Sequence, residues 1–367
     1  MEQIKRFFEC LIPVTVCNLK CSYCYVIQRD YRNMKLATMK YSPEQIAQGL
    51  TRERLGGVCY FSICGAGETL AQPETFQIAK LLLQEGHIVN ITTNGTLTNR
   101  FHEIVNIDEC DRKRLHFSFS LHYLELQRLH LLDRFFENIK LVHEYGCSYM
   151  VQLNLCDEYI PYLDEIKQVC LKNVGAYPQI AATRKEGSGI RKIQLHTELS
   201  EEEYRKIGNS FDSELFKYTM ENFNVERKEF CYAGERSGTL NLGTGILTKC
   251  YADPKGIDIF KNISKPVKME AMGYNCGCAY CLNSSHFMSL GVIDNDDKRT
   301  YVSIRDREDA QWFNDTVKST LSQKLWDSNE RYSDRKVITS NMKQKFKMAY
   351  YRTRHKVGIL VKWGIRK

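Results

Sequence analysis

The run Cys17-Asn18-Leu19-Lys20-Cys21-Ser22-Tyr23-Cys24-Tyr25 decides how the rest of the chain is read. Thiolates this close together on one loop can hold three corners of a cubane iron–sulfur cluster. A closed cluster takes four cysteine ligands, and the next cysteine is as far away as Cys59. The spacing therefore points to a cluster with one iron left open for something other than protein. An open coordination position marks a reactive metal site rather than a structural one. Zinc is the plain alternative, but zinc sites pair C-x2-C with a second such pair or with two histidines. No such partner lies nearby.

Around this loop, from residue 8 to about 185, short β-rich runs alternate with helical ones, the pattern of repeated βα units. Strands are expected at 11–16, 58–64, 87–93, 115–121, 149–155 and 179–183. A helix opens at Ser42-Pro43-Glu44-Gln45, with Ser as N-cap, Pro in the first turn and Gln closing a capping box. Another opens at Pro73 with Phe76, Ala79, Leu82 and Leu83 on one face. Six such units predict an α/β fold with a partial (β/α)6 barrel, in which chemistry sits at the C-terminal ends of the strands. Cys17 falls just after the first expected strand.

The 367 residues include 15 cysteines and no apolar run of membrane-spanning length. The first ten residues mix charges with Phe7 and Phe8 and do not read as a signal peptide. Many thiols without a secretion signal point to a reducing cytoplasm, where cysteines bind metal rather than pair. The formal charge of +8 is uneven: residues 341–367 hold nine cations and no acid, so the remainder nets −1.

The pattern Cys17-x3-Cys21-x-Tyr23-Cys24 resembles the signature of the radical S-adenosylmethionine (radical SAM) enzymes. The resemblance implies a [4Fe-4S] cluster on Cys17, Cys21 and Cys24, with the open iron binding the amino and carboxylate groups of SAM. An electron from an external one-electron donor then cleaves SAM to methionine and a 5′-deoxyadenosyl radical, which takes hydrogen from substrate. It also implies the partial-barrel fold and places Tyr23 beside the adenine. Cys64-Gly65-Ala66-Gly67-Glu68 follows the second strand and resembles the family's Gly-Gly-Glu segment, which meets the SAM amino group by backbone and carboxylate; Ala66 stands where the family has its middle glycine. The resemblance also puts Asn94 at the rim of the SAM pocket, although Asn94-Gly95 alone reads as a turn. Ser120 matches a family serine that binds ribose or carboxylate oxygens. Ser118, Ser120 and His122 share one face of the fourth strand, with His122 expected to be structural. Arg184 is a candidate partner for the SAM carboxylate, or a plain surface arginine.

Further on, Cys231, a hairpin over 239–250 turning at Gly243-Thr244-Gly245, and Cys276-Gly277-Cys278-Ala279-Tyr280-Cys281 resemble the short auxiliary-cluster module called Twitch. The longer SPASM version needs cysteines after Cys281, and there are none. This resemblance implies one auxiliary iron–sulfur cluster on Cys231, Cys250, Cys278 and Cys281, with Cys276 able to displace Cys278. A structural zinc at these thiols is the alternative.

The expected organisation is a radical SAM core over 1–200, a helical bridge over 201–230, a Twitch-like domain over 231–290, a loosely helical or irregular region over 291–340 and a basic tail over 341–367. Most other cysteines are expected to be small buried hydrophobes; Cys156, directly after the fifth strand, is the one expected to face substrate. With sixteen residues before Cys17, no room is expected for an N-terminal peptide-recognition domain. Oxidation or epimerisation of a carbohydrate-like or other small metabolite is the leading expectation, and peptide modification the second. A non-catalytic iron–sulfur or zinc protein with a nucleic-acid-binding tail is the alternative of another class, disfavoured by the SAM-segment matches. The tail reads either as a solvated or docked terminal helix or as a reversible anchor to anionic lipid. An RNA partner is not expected, since the body adds no matching positive charge.

Overall fold

The computed structural model describes residues 2–364 apart from 188–191, 254, 275–280 and 282–283, and without side chains at 284, 348, 351–352 and 354–364. Six strands form a parallel array: β1 (Arg6–Ile12), β2 (Cys59–Gly65), β3 (Ile88–Thr93), β4 (Leu115–Ser120), β5 (Ser148–Leu155) and β6 (Gln179–Ala182). They pair in sequence order, so this is the α/β partial barrel expected from the βα repeat. The helices α1 (Pro43–Gly49), α2 (Glu74–Gln84), α3 (Leu132–Glu144) and α4 (Leu163–Val174) lie in its connections. The capping box at Ser42 is complete, with the Ser42 side chain accepting from Gln45 N–H and the Gln45 side chain accepting from Ser42 N–H.

The first strand starts earlier than the sequence indicates. β1 ends at Ile12, and Pro13, which cannot donate to a ladder, begins the loop that leads to Cys17. Glu9 and Arg6 obscured the strand because buried strands normally read as apolar runs.

Two helices follow β6, α5 (Glu201–Asn209) and α6 (Glu214–Glu221). The expected hairpin then forms from β7 (Ser237–Asn241) and β8 (Ile246–Thr248), with Leu240 opposite Leu247. It is not a separate layer: β7 pairs in parallel with β1, Glu9 opposite Thr239, and β9 (Ile257–Asp258) adds a ninth strand. The cysteine-bearing segment therefore grows directly from the edge of the barrel sheet.

Residues 300–314 are less irregular in role than their composition implies. Tyr301, Ile304, Arg305, Trp312 and Phe313 are buried. Trp312 accepts from Tyr149 N–H and donates its indole N–H to Val174 O, while the Gln179 amide donates to Arg305 O. Tyr149 and Gln179 begin their strands, so this segment closes the N-terminal end of the sheet. A helix, α7 (Asp315–Leu321), follows. The C-terminal strand ends are left for the site.

The basic tail belongs to a 31-residue helix, α8 (Asp334–Gly364). One face docks on the β7–β8 region: Val337 packs with Phe230 and Tyr232, Asn341 accepts from Tyr274 N–H, and Gln344 reaches Met272 Sδ at 3.0 Å. Among the described residues no helix is long and apolar enough to cross a membrane.

Buried histidines, His87 and His116 among them, tie this fold to pH. His87 accepts from Cys59 N–H through Nδ1 and places Nε2 at 2.8 Å from Leu50 O, which suits the neutral ring. Burial lowers its pKa to about 4. Burial, with the Arg305 charge, lowers His116 to about 3. Both folded values lie below the unfolded one, so their stabilisation is present above about pH 6.5 and is lost as pH falls through the folded values. Unfolding free energy is expected to fall between about pH 6.5 and 4, by up to about 1.4 kcal/mol per pH unit for each histidine, and the thermal midpoint with it, less steeply in His87→Gln. A flat midpoint across that interval would contradict the assignment.

Candidate active site

The cysteine loop leaves β1 and is strapped on three sides. Arg32 donates to Leu19 O at 2.8 Å and also to Cys17 O. Lys20 N–H donates to Glu125 Oε2 at 2.6 Å, and Ser22 Oγ to Glu158 Oε2 at 2.6 Å. Glu125 and Glu158 follow β4 and β5, so the loop is tied across the C-terminal edge of the sheet.

Cys21 is buried, and Cys17 and Cys24 are half-buried. Burial and the neighbouring Cys17 and Cys24 thiols push Cys21 up to about 12. Burial also raises Cys17, against hydrogen bonds from Leu19 and Asn94. Among the described residues no three His, Cys, Asp or Glu side chains converge on a single metal ion. Cys17 and Cys24 both act electrostatically on the Cys21 thiol, so the three sulfurs lie near one another, and a cubane cluster takes one thiolate on each of three irons. The donor set therefore fits the three-cysteine cluster that the loop implies.

The Gly65–Glu68 turn is built into the base of this loop. Gly67 N–H donates to Val14 O at 2.6 Å, and Glu68 N–H to Val16 O at 2.8 Å. The Glu68 carboxylate is 3% exposed and accepts from Leu70 N–H, Thr93 Oγ1 and Asn94 N–H. It thereby joins the ends of β2 and β3. Ala66 is half-buried beside it.

Asn94 sits at the centre of a polar knot. Its Nδ2 donates to Asn18 Oδ1 at 2.8 Å and points at Cys17 Sγ at 3.7 Å, while its Oδ1 accepts from Thr96. Hydrogen bonds to cluster sulfurs tune reduction potential, a part Asn94 would play for a cluster held by Cys17. Tyr23 is 7% exposed, and its hydroxyl lies 2.7 Å from His122 Nδ1 and 2.9 Å from Tyr159 Oη. Burial lowers His122 to about 4, which keeps it neutral beside Tyr23. The expected structural histidine thus holds the aromatic residue of the loop.

The sheet face opposite the helices is polar and partly open. On β4, Phe117 and Phe119 are fully buried among Phe101 and Phe135, whereas Ser118 and Ser120 are half-buried. Gln152 and Asn154 on β5, Cys64 on β2, and Thr239 and Asn241 on β7 are half-buried in the same alternating way. Lower on this face, Asn90 donates to Ser62 Oγ and accepts from Ser118 Oγ. Glu9, at 8% exposure, stands level with Ser62 and Thr239. Of these residues the sequence singled out only Ser118 and Ser120. Strand alternation points to the others once the true register is known.

Cys156 lies after β5 and is 4% exposed, with Tyr159 N–H donating to its carbonyl. Burial pushes its thiol up to about 12. Cys64, one of the cysteines expected mostly to be buried hydrophobes, is half-buried on the open face. Arg184 is exposed and bridges to Leu195. Cys231 and Cys250 are half-buried on either side of the hairpin, and so is Cys281. Cys231 forms bridges to Gly273 and Ile293. Cys276 and Cys278 lie outside the described residues.

The chain is similar to several solved structures. Streptococcus suis SuiB bound to S-adenosylmethionine is 17% identical, with a TM-score of 0.49 over 70% of this chain and 64% of that one. This chain thus spans slightly less than two thirds of SuiB. Native anSMEcpe with bound AdoMet is 15% identical, with a TM-score of 0.44 over 66% of this chain and 74% of that one. BtrN in complex with AdoMet and 2-DOIA is 12% identical, with a TM-score of 0.29 over 87% and 86% of the two chains. No curated protein matches the chain. Residues 11–161, which hold the cysteine loop, the Gly65–Glu68 turn and β2 to β5, match the family model described as the Radical SAM superfamily.

Proposed function

We propose that this protein uses SAM to oxidise or epimerise a small, hydroxyl-rich metabolite of carbohydrate type. The observation that carries this reading is the open sheet face beside the cysteine loop, where Ser118, Ser120, Gln152, Asn154, Thr239 and Asn241 offer neutral hydrogen-bonding groups. Such groups match hydroxyls and amides and set orientation without demanding a charged ligand. Cys17, Cys21 and Cys24 would hold the cluster, and the backbone of Gly65–Gly67 and Ser120 would meet SAM. When bound and reduced by an external donor, the pair supplies a 5′-deoxyadenosyl radical, and the protein supplies aim and exclusion of water. Glu68, Asn94 and His122 act by holding the loop and its aromatic residue in place.

A second cluster on Cys231, Cys250, Cys278 and Cys281 would give an electron taken from substrate somewhere to go, which suits net oxidation. Cys281→Ala is expected to lower iron content by about one cluster and to leave uncoupled SAM cleavage partly intact. A reconstituted wild type holding a single cluster and one zinc would count against this assignment. Cys156 is proposed as a hydrogen donor to the substrate radical in an epimerisation. Solvent deuterium entering product undiminished in Cys156→Ala would remove it from that role.

The substrate class is tested by offering the anaerobically reconstituted, reduced protein separate polar-metabolite and peptide fractions with SAM. Stimulated 5′-deoxyadenosine release by the metabolite fraction supports the proposal. Stimulation by the peptide fraction alone would replace it with peptide modification.

A further inference from the structure

The helix α8 is amphipathic in two directions: one apolar side packs on the fold, and a second is largely exposed over residues 338–350. The docked side carries Val337, Asn341, Gln344 and Lys347, the last 3.5 Å from Asp253. At 3.6 residues per turn, Ile338, Met342, Phe346 and Tyr350 form a second row turned away from that side. These four are 60%, 54%, 72% and 60% exposed. Four large apolar side chains at i, i+4 spacing are more than the scattered single exposures of an ordinary surface. They also stand on a helix about 46 Å long at 1.5 Å per residue.

The charge around the row decides what it fits. Lys336, Lys343 and Lys345 are exposed alongside it, and residues 341–367 hold nine cations and no acid, against −1 for the rest of the chain. A cationic helix with an exposed apolar row suits an anionic bilayer interface: the apolar side chains enter the acyl boundary and the lysines meet the headgroups. RNA would use the cations but has no use for a row of Ile, Met, Phe and Tyr in single file, and the rest of the chain adds no net positive charge to extend its path.

We propose that α8 is a reversible membrane anchor, docked to the protein through its Val337–Lys347 side and lying in the plane of an anionic lipid surface through its Ile338–Tyr350 side. The proposal is independent of the substrate reading. It places the β7–β9 side of the sheet at the membrane, because that is where α8 docks.

The test is flotation of the full-length, reconstituted protein with vesicles of phosphatidylcholine alone or mixed with phosphatidylserine, at low and high salt. The expected result is flotation with the mixed vesicles only, lost at high salt as screening requires. The double variant Met342→Glu, Phe346→Glu changes exposed residues only, so its helical circular dichroism and 5′-deoxyadenosine release should match wild type. Its vesicle-bound fraction should fall about tenfold or more, since two apolar contacts become like-charge repulsions. Equal binding by wild type and the double variant, or no binding to the mixed vesicles, would overturn the proposal. Salt-sensitive capture of single-stranded RNA without vesicle binding would overturn it in favour of nucleic acid.

Discussion

Cys21→Ala is expected to lose the loop cluster and all 5′-deoxyadenosine release, with the fold retained. Cys21 is one of only three thiols on the loop, so its loss leaves two ligands for a cluster that needs three from protein. Its environment makes the dependence sharper. Burial pushes Cys21 to about 12, so the thiol is not a thiolate by default, and metal binding must displace its proton. The loop's straps through Arg32, Glu125 and Glu158 do not involve the Cys21 side chain, and thermal unfolding should therefore change little. Absorbance and iron content measure the cluster, and chromatography measures the nucleoside. Continued 5′-deoxyadenosine release by Cys21→Ala would contradict the site assignment.

Gly67→Ala is expected to have a comparable effect without removing any ligand. A Cβ at Gly67 would lie 2.3 Å from Val16 O and 2.6 Å from the Thr15 carbonyl carbon. Both atoms are backbone, so no side-chain rotation relieves the clash, and the base of the cysteine loop must move. Overpacking of this kind costs about 1–3 kcal/mol, and the shift falls on the segment that sets the Cys17 position. Ala66, one residue earlier, already carries a Cβ and is half-buried there. The glycine requirement therefore lies at 67. Gly67→Ala should show a lowered thermal midpoint and reduced iron incorporation at the loop. Wild-type iron content and wild-type 5′-deoxyadenosine release in this variant would contradict the close approach.

The parts of this protein read most easily from sequence were those set by local chemistry. The capping box at Ser42 and the alternation of Ser118 and Ser120 with Phe117 and Phe119 both express rules spanning a few residues, and the structure contains each of them. The start of β1 was misread because Arg6 and Glu9 interrupt its apolar pattern. Glu9 is buried there as part of the inner face, a tertiary fact with no local signal. The pairing of β7 with β1 joins residues more than two hundred positions apart, and no periodicity announces such a contact. The same holds for residues 300–314, whose Tyr301, Arg305 and Trp312 look like mixed surface until the strand starts they cover are known. At the site, the three thiols of the loop were legible from spacing as candidate ligands. The supporting roles of Asn94 and Glu68 were not, because both depend on which loop lies beside them.

The measurement that tests the central claim most directly is electron paramagnetic resonance of the reduced, reconstituted protein before and after SAM is added. An iron open to SAM gives a cluster signal that changes when SAM binds. The account predicts that change in wild type and in Cys281→Ala, where only the auxiliary cluster should be lost, and no loop-cluster signal in Cys21→Ala. A reduced wild-type signal unaltered by SAM, together with no 5′-deoxyadenosine release, would contradict it.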